Sequence, residues 1–109
     1  MSKTYEATQT TRAEVDSRAE PVVIQFGTSW CGHCMAAQPL IESAMADYPA
    51  LHHLKVEDGP GRPLGRSFRV KLWPTLILIR EGQEVARVVR PTAIGDLQMI
   101  PVAGSAVWI

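Results

Sequence analysis

Two kinds of pattern alternate along the chain: short runs of β-branched and apolar residues, and stretches where apolar residues return every three or four positions. Val22-Val23-Ile24-Gln25-Phe26 is almost continuously apolar, the signature of a central strand covered on both faces. Thr75-Leu76-Ile77-Leu78-Ile79 reads the same way, and Leu51 to Val56 reads as a further strand. Thr75–Ile79 connects through Glu81-Gly82-Gln83 to Glu84–Val89, and so short a glycine-containing link predicts an antiparallel hairpin. Between the first two strands, Cys34, Ala37, Ile41, Ala44, Met45 and Tyr48 fall at helical spacing. They predict a helix from Cys31 to about Tyr48, with Pro39 inside it and Tyr48-Pro49 closing it. Gly27-Thr28-Ser29 is the turn into that helix, and Thr28 or Ser29 is expected to cap it. A short surface helix is expected within Thr10 to Glu20, and another over Pro63 to Phe68 after the loop Glu57–Pro63. Thr92 opens a last helix that Pro101 stops early. The pattern as a whole predicts an α/β fold: a mixed sheet with helices on both faces, closed by a C-terminal hairpin.

Length and composition narrow this picture. At 109 residues, with 46% apolar and 20% charged side chains, the chain is expected to form a single domain over residues 1–109. Eleven basic and eleven acidic side chains cancel, so no net field recruits nucleic acid or a membrane. The N-terminal Met1-Ser2-Lys3-Thr4-Tyr5-Glu6 lacks the apolar core of a secretory signal, and no apolar run is long enough to span a bilayer, so a cytoplasmic location is expected. There are only two cysteines, too few for a disulfide-built secreted scaffold. They are Cys31 and Cys34, three positions apart.

Two cysteines separated by two residues, at the point where a strand gives way to a helix, make a redox motif. A helix N-terminus supplies free N–H groups and the positive end of the helix dipole, both of which favour a thiolate. Cys31, at the first turn, gains most and is expected to be the exposed nucleophile; Cys34, one turn inside, is expected to be the shielded resolving thiol. His33 between them can add positive charge and favour the Cys31 thiolate. Two other readings exist. A purely stabilising disulfide closing so short a loop would contribute only about 2 kcal/mol and would not persist in a reducing cytosol. A closed zinc site needs four ligands, and beyond Cys31, His33 and Cys34 the only other histidines, His52 and His53, point to opposite sheet faces.

Trp30-Cys31-Gly32-His33-Cys34, Pro39 five residues after the second cysteine, and Trp73-Pro74-Thr75 before a buried strand together resemble the thioredoxin family. The resemblance runs from about Pro21 to Val89. It implies a three-layer α/β/α fold and a thiol–disulfide oxidoreductase that needs neither metal nor organic cofactor beyond the Cys31–Cys34 pair. It further implies a cis peptide bond before Pro74, and a substrate groove at Trp73, Pro74 and Thr75 where the incoming chain pairs as an added strand. Trp73 is bulky for that position; with Trp30 it can wall Cys31, or it can pack on the neighbouring loop. The implied partners are protein disulfides and a dithiol donor, such as a thioredoxin-type reductase or a glutathione system, with the protein a monomer or weak dimer.

The departures from the family are as informative. Where thioredoxins carry a buried aspartate that moves the proton of the second thiol, this chain has Gln25, which cannot act as a base, so resolution by Cys34 is expected to be slower or to rely on water. The lysine that partners that aspartate corresponds to Lys55 or His53. Gly32-His33 resembles protein disulfide isomerases more than reducing thioredoxins, a difference equivalent to about 90 mV between the two groups. Arg90 stands near the end of the hairpin, where the family often has glycine. Charge is also divided: residues 1–59 hold four basic and eight acidic side chains, residues 60–109 seven and three. Arg62, Arg66, Arg69 and Lys71 lead into Trp73, as a solvated face or as a rim that steers acidic partner proteins. The apolar segment Ile100–Ile109 is expected to pack back on the sheet or to meet a partner. The expected function is therefore a cytoplasmic disulfide reductant. The alternatives are an oxidase or isomerase in an oxidising compartment, or a binding module using the same groove.

Overall fold

The computed structural model describes Tyr5 and residues 10–48, 51–93 and 96–97. In chain order the elements are α1 (Arg12–Asp16), β1 (Val22–Gly27), α2 (Gly32–Ala46), β2 (His52–Glu57), α3 (Pro63–Ser67), β3 (Thr75–Arg80) and β4 (Gln83–Val89). The strands form one mixed sheet in the order β2-β1-β3-β4. β1 runs parallel to β2, with Gln25 opposite Lys55, and antiparallel to β3, with Gln25 opposite Leu76. β1 and β3 are thus the interior strands, which is why their sequences are apolar at nearly every position.

One face of the sheet buries Val23, Leu76 and Leu78 against Ala37, Ile41, Ala44 and Met45 of α2, together with Leu97. The opposite face buries Val22, Ile24, Phe26, Ile77 and Ile79 against Val15 of α1 and Leu64 and Phe68 at α3. Arg12 ties the two short helices together: its guanidinium lies 3.8 Å over the Phe68 ring and donates to the Ser67 carbonyl at 2.9 Å. This is the three-layer α/β/α arrangement the sequence predicts. The β3–β4 hairpin turns on Glu81 and Gly82, both at positive φ (+52° and +76°), the backbone a two-residue I′ turn requires.

Several local expectations change in detail. The first helix occupies only five residues, capped by Thr11 and Glu14 in a reciprocal capping box. The cap of α2 is neither Thr28 nor Ser29. Cys31 itself holds that position, in extended backbone, its sulfur accepting from the Cys34 N–H at 3.4 Å. α2 continues through Pro39 and is capped by Asp47. Near Thr92, the Asp96 carboxylate accepts from the N–H groups of Thr92 and Ala93. The expected stop at Pro101 and the apolar segment Ile100–Ile109 lie outside the described residues. No helix among the described residues is long and apolar enough to cross a membrane.

Candidate active site

The β1–α2 junction carries both cysteines. Gly27 ends the central strand, and a Cβ there would lie 2.6 Å from the Cys34 sulfur and 2.7 Å from the Tyr5 hydroxyl oxygen. Only glycine leaves room for that sulfur. Cys31 then starts the helix and Cys34 faces inward one turn later, both as free thiols. Cys34 is 2% exposed and Cys31 only 9%, so the sulfur expected to be the exposed nucleophile is itself largely covered. Just before it in the chain, Trp30 is 73% exposed and meets Trp73 edge-on, ring centroids 5.8 Å apart.

The two thiols are driven in opposite directions. Burial pushes the Cys31 thiol up, but the Cys34 side chain, the N–H groups of Cys34 and His33, and the positive charge of Arg90 outweigh it and hold the thiol below its ordinary value. For Cys34, burial dominates and raises the thiol. A hydrogen bond to the Cys31 sulfur raises it too, against a Thr28 N–H and the Tyr5 side chain, which lower it. The arrangement therefore keeps the proton on Cys34 and directs it towards Cys31. His33 is exposed, and the group it places against Cys31 is its backbone N–H.

Behind Cys34 lies a polar cluster. Gln25 is fully buried, and its amide donates to the Tyr5 hydroxyl at 2.7 Å and to the Gln38 side-chain oxygen at 3.0 Å. The Gln25 oxygen lies 2.8 Å from His53 Nε2, which assigns that nitrogen the proton, since a Gln oxygen can only accept. Of the two candidates for the family's lysine, His53 thus bonds Gln25 directly, while Lys55 is buried at 3% exposure with its ammonium 4.6 Å over the Tyr5 ring. Burial and the charge of Lys55 push His53 down to about 4, so it is neutral near pH 7. Its buried Nδ1 has no hydrogen-bond partner among the described residues. A cavity of about 140 Å³ opens onto Cys34 between Tyr5, Thr28, Gln38 and Lys55. Tyr5 is the component that sequence reasoning missed, because nothing in an isolated N-terminal tyrosine marks it as a neighbour of a cysteine 29 positions away.

The Trp73–Pro74 peptide bond is cis, as the resemblance implies. Trp73 packs on the neighbouring loop, its indole N–H donating to the Asp58 carboxylate at 2.9 Å, and it also pairs edge-on with Trp30. The Thr75 hydroxyl donates to the Leu72 carbonyl at 2.5 Å and closes the segment. Arg90, at φ +50°, donates its backbone N–H to the Pro74 carbonyl and its Nε to the Trp73 carbonyl, each at 2.9 Å. Beside Trp73, Arg62, Arg66, Arg69 and Lys71 line a groove of about 850 Å³. Among the described residues no three or more His, Cys, Asp or Glu side chains gather as a metal site.

A family model described as thioredoxin matches residues 3–100. Thioredoxin-1 of Saccharomyces cerevisiae is 35% identical over 89 residues, covering 77% of this chain and 86% of its own. Thioredoxin H2-1 of Oryza sativa subsp. japonica is 37% identical over 68 residues, covering 62% of this chain. The matched span is 49% of that rice protein and 59% of the thioredoxin H-type of Fagopyrum esculentum. Among solved structures, thioredoxin 2 of Pseudomonas aeruginosa PAO1 in its reduced form is 58% identical, with a TM-score of 0.80, covering 89% of this chain and 90% of that one.

Proposed function

The chain belongs to the thioredoxin family, and from that membership we propose that it is a single-domain thiol–disulfide oxidoreductase, working as a cytoplasmic reductant of protein disulfides. The observation that carries the reading is the opposed behaviour of its two thiols, Cys31 held low and Cys34 held high. The Cys31 thiolate attacks one sulfur of a substrate disulfide, a Cys31–substrate bond forms, and the other substrate sulfur leaves as a thiolate. Cys34 then loses its proton and attacks Cys31. The second substrate sulfur departs, the two substrate sulfurs take up two protons, and two electrons have passed from the Cys31–Cys34 dithiol to the substrate. A dithiol donor, of the thioredoxin-reductase or glutathione kind, restores the pair.

Where the family has a carboxylate this chain has buried Gln25, whose amide cannot act as a base for Cys34. The cavity bounded by Tyr5, Thr28 and Lys55 is the route we assign to the departing proton: the Tyr5 hydroxyl favours the thiolate of Cys34, and a cavity of that size admits water. Trp30, Gly32 and His33 shape the approach to Cys31, and Trp73, Pro74 and Thr75 receive the substrate backbone.

Turnover with dithiothreitol as electron source tests the activity. Wild type should reduce insulin disulfides well above the background rate and Cys31→Ser should not; equal rates for the two would reject the reading. Equilibration with glutathione at defined ratios measures the direction, because a potential near that of disulfide isomerases would favour an oxidase or isomerase instead.

A further inference from the structure

The backbone of Arg90 lies in the left-handed region, at φ +50°, which side chains with a Cβ occupy rarely and at a cost. A glycine would satisfy the turn without that cost. The side chain therefore has to supply something, and its contacts indicate what. Nε donates to the carbonyl of Trp73, the residue that the family resemblance assigns to pairing with substrate. The charge also lies close enough to Cys31 to favour its thiolate. Among the described residues no carboxylate pairs with Arg90, and only one of its side-chain nitrogens is engaged. Arg66, Arg69 and Lys71, lining the groove that Trp73 also borders, likewise have no carboxylate partner among the described residues. The surroundings of Trp73 thus hold the Asp58 carboxylate, on its indole N–H, against Arg66, Arg69, Lys71 and the half-anchored, planar guanidinium of Arg90.

We propose that Arg90 is a specificity-determining residue that selects disulfides flanked by an acidic side chain: anchored through Nε on the Trp73 carbonyl, its two terminal nitrogens receive a carboxylate of the incoming chain beside the sulfur that Cys31 attacks. A carboxylate matches both the charge and the fork geometry, and anchoring one nitrogen beforehand reduces the entropy lost when the other two are used. The carbonyl of Trp73 keeps a second lone pair for a substrate N–H, so the anchor does not prevent strand-like pairing. The groove cations extend the same preference by steering acidic proteins towards the site.

The proposal rests on the oxidoreductase reading, so its test separates the two. Two peptide disulfides are compared, identical except for Glu or Gln beside the reacting cysteine. Their redox-inert forms, with Ser for Cys, are titrated against the fluorescence of Trp30 and Trp73. In wild type the Glu peptide should be favoured in both kcat/KM and affinity. Arg90→Gly should lower that preference roughly tenfold, the size of a charge-assisted hydrogen bond. It should also move the pH midpoint for alkylation of Cys31 upward. The charged and titratable groups that act on that thiol are Cys34 on its own helix and Arg90 from the end of β4, while Tyr5, which burial keeps protonated, bonds Cys34 rather than Cys31. Glycine suits the local backbone, and a melt of Arg90→Gly within a few degrees of wild type excludes unfolding as the cause. Arg90→Lys should keep the alkylation midpoint and lose part of the preference. An unchanged Glu-to-Gln ratio in Arg90→Gly, or full retention of the preference by Arg90→Gln, overturns the assignment. Wild type that turns over neither peptide yet binds the Glu form more tightly rejects the oxidoreductase reading and keeps the role of Arg90. Turnover of both with no preference rejects Arg90 alone.

Discussion

Cys31 and Cys34 are one helical turn apart, yet they belong to different regions of the molecule. The Cys31 side is a surface: exposed Trp30, the edge-on Trp73, the carbonyl-bound Arg90 and the cationic groove beside it. The Cys34 side is an interior: buried Gln25 and Lys55, the tyrosine above them, a glycine that makes room and a small cavity. On the first side N–H donors and positive charge outweigh desolvation, and on the second desolvation dominates. A dithiol whose two members shared one environment would compete for the same proton. Dividing the pair between surface and interior gives each sulfur one task.

The largest effect comes from erasing the distinction. Cys31→Ser should abolish disulfide reduction, while Cys34→Ser should accumulate a mixed disulfide through Cys31, detectable by mass spectrometry under non-reducing conditions. Recovery of that adduct on Cys34 in the Cys31→Ser protein would reverse the roles. The interior side can next be broken by crowding it. Gly27→Ala places a methyl against the Cys34 sulfur and the Tyr5 hydroxyl, and should cost about 1–3 kcal/mol in urea unfolding, with the fold retained. A loss below experimental error would mean that this pocket is looser than its geometry indicates.

Acid should weaken the same interior. His53 titrates near 4 when folded against 6.5 when unfolded. Below pH 6.5 the unfolded chain binds the extra proton first, so stability is full above that value and is lost as the pH falls towards 4. The loss should be about 2 kcal/mol after allowing for the partial exposure of the ring, and His53→Gln should flatten the slope. A wild-type slope identical to that of the variant would remove His53 from the account. The smallest change sharpens the contrast. Tyr5→Phe deletes one hydroxyl and should slow resolution by Cys34 roughly threefold to tenfold while leaving the first attack by Cys31 unchanged. Stopped-flow measurement of mixed-disulfide decay separates the two steps, and equal slowing of both would contradict a role confined to Cys34.

What could be read along the chain follows from the range of each interaction. β1 and β3 were legible because burial on two faces demands apolar residues at nearly every position. α2 was legible because its inward face repeats with the helical period, and the hairpin because so few conformations suit a two-residue link. The cap of α2 was misplaced: Thr28 and Ser29 are the stronger capping residues by type, but the chain turns so that a cysteine occupies the cap and a sulfur takes the N–H. Cys31 is less accessible than its position at a helix start predicts, at 9% exposure, because the folded chain rather than the local motif decides what surrounds that start. The Cys31–Cys34 spacing, on which the proposed redox chemistry rests, was visible in five consecutive residues.

The chain's order of apolar and polar residues determined the strands, the helices and the position of two thiols at a helix start, because those depend on neighbours within one or two turns. The resemblance to the family added that Gln25 stands where a carboxylate serves the second thiol, and that Arg90 stands near the end of the hairpin. Only the tertiary structure decided what those side chains do. Gln25 becomes the hub joining Tyr5, Gln38 and His53, and Arg90 reaches back to the Trp73 carbonyl. The physical reason is that a hydrogen bond or a charge acts over a few ångströms of space, whatever the separation in sequence. The N–H groups that lower Cys31 are local to the helix start, whereas the burial that keeps the proton on Cys34 comes only after the sheet has formed.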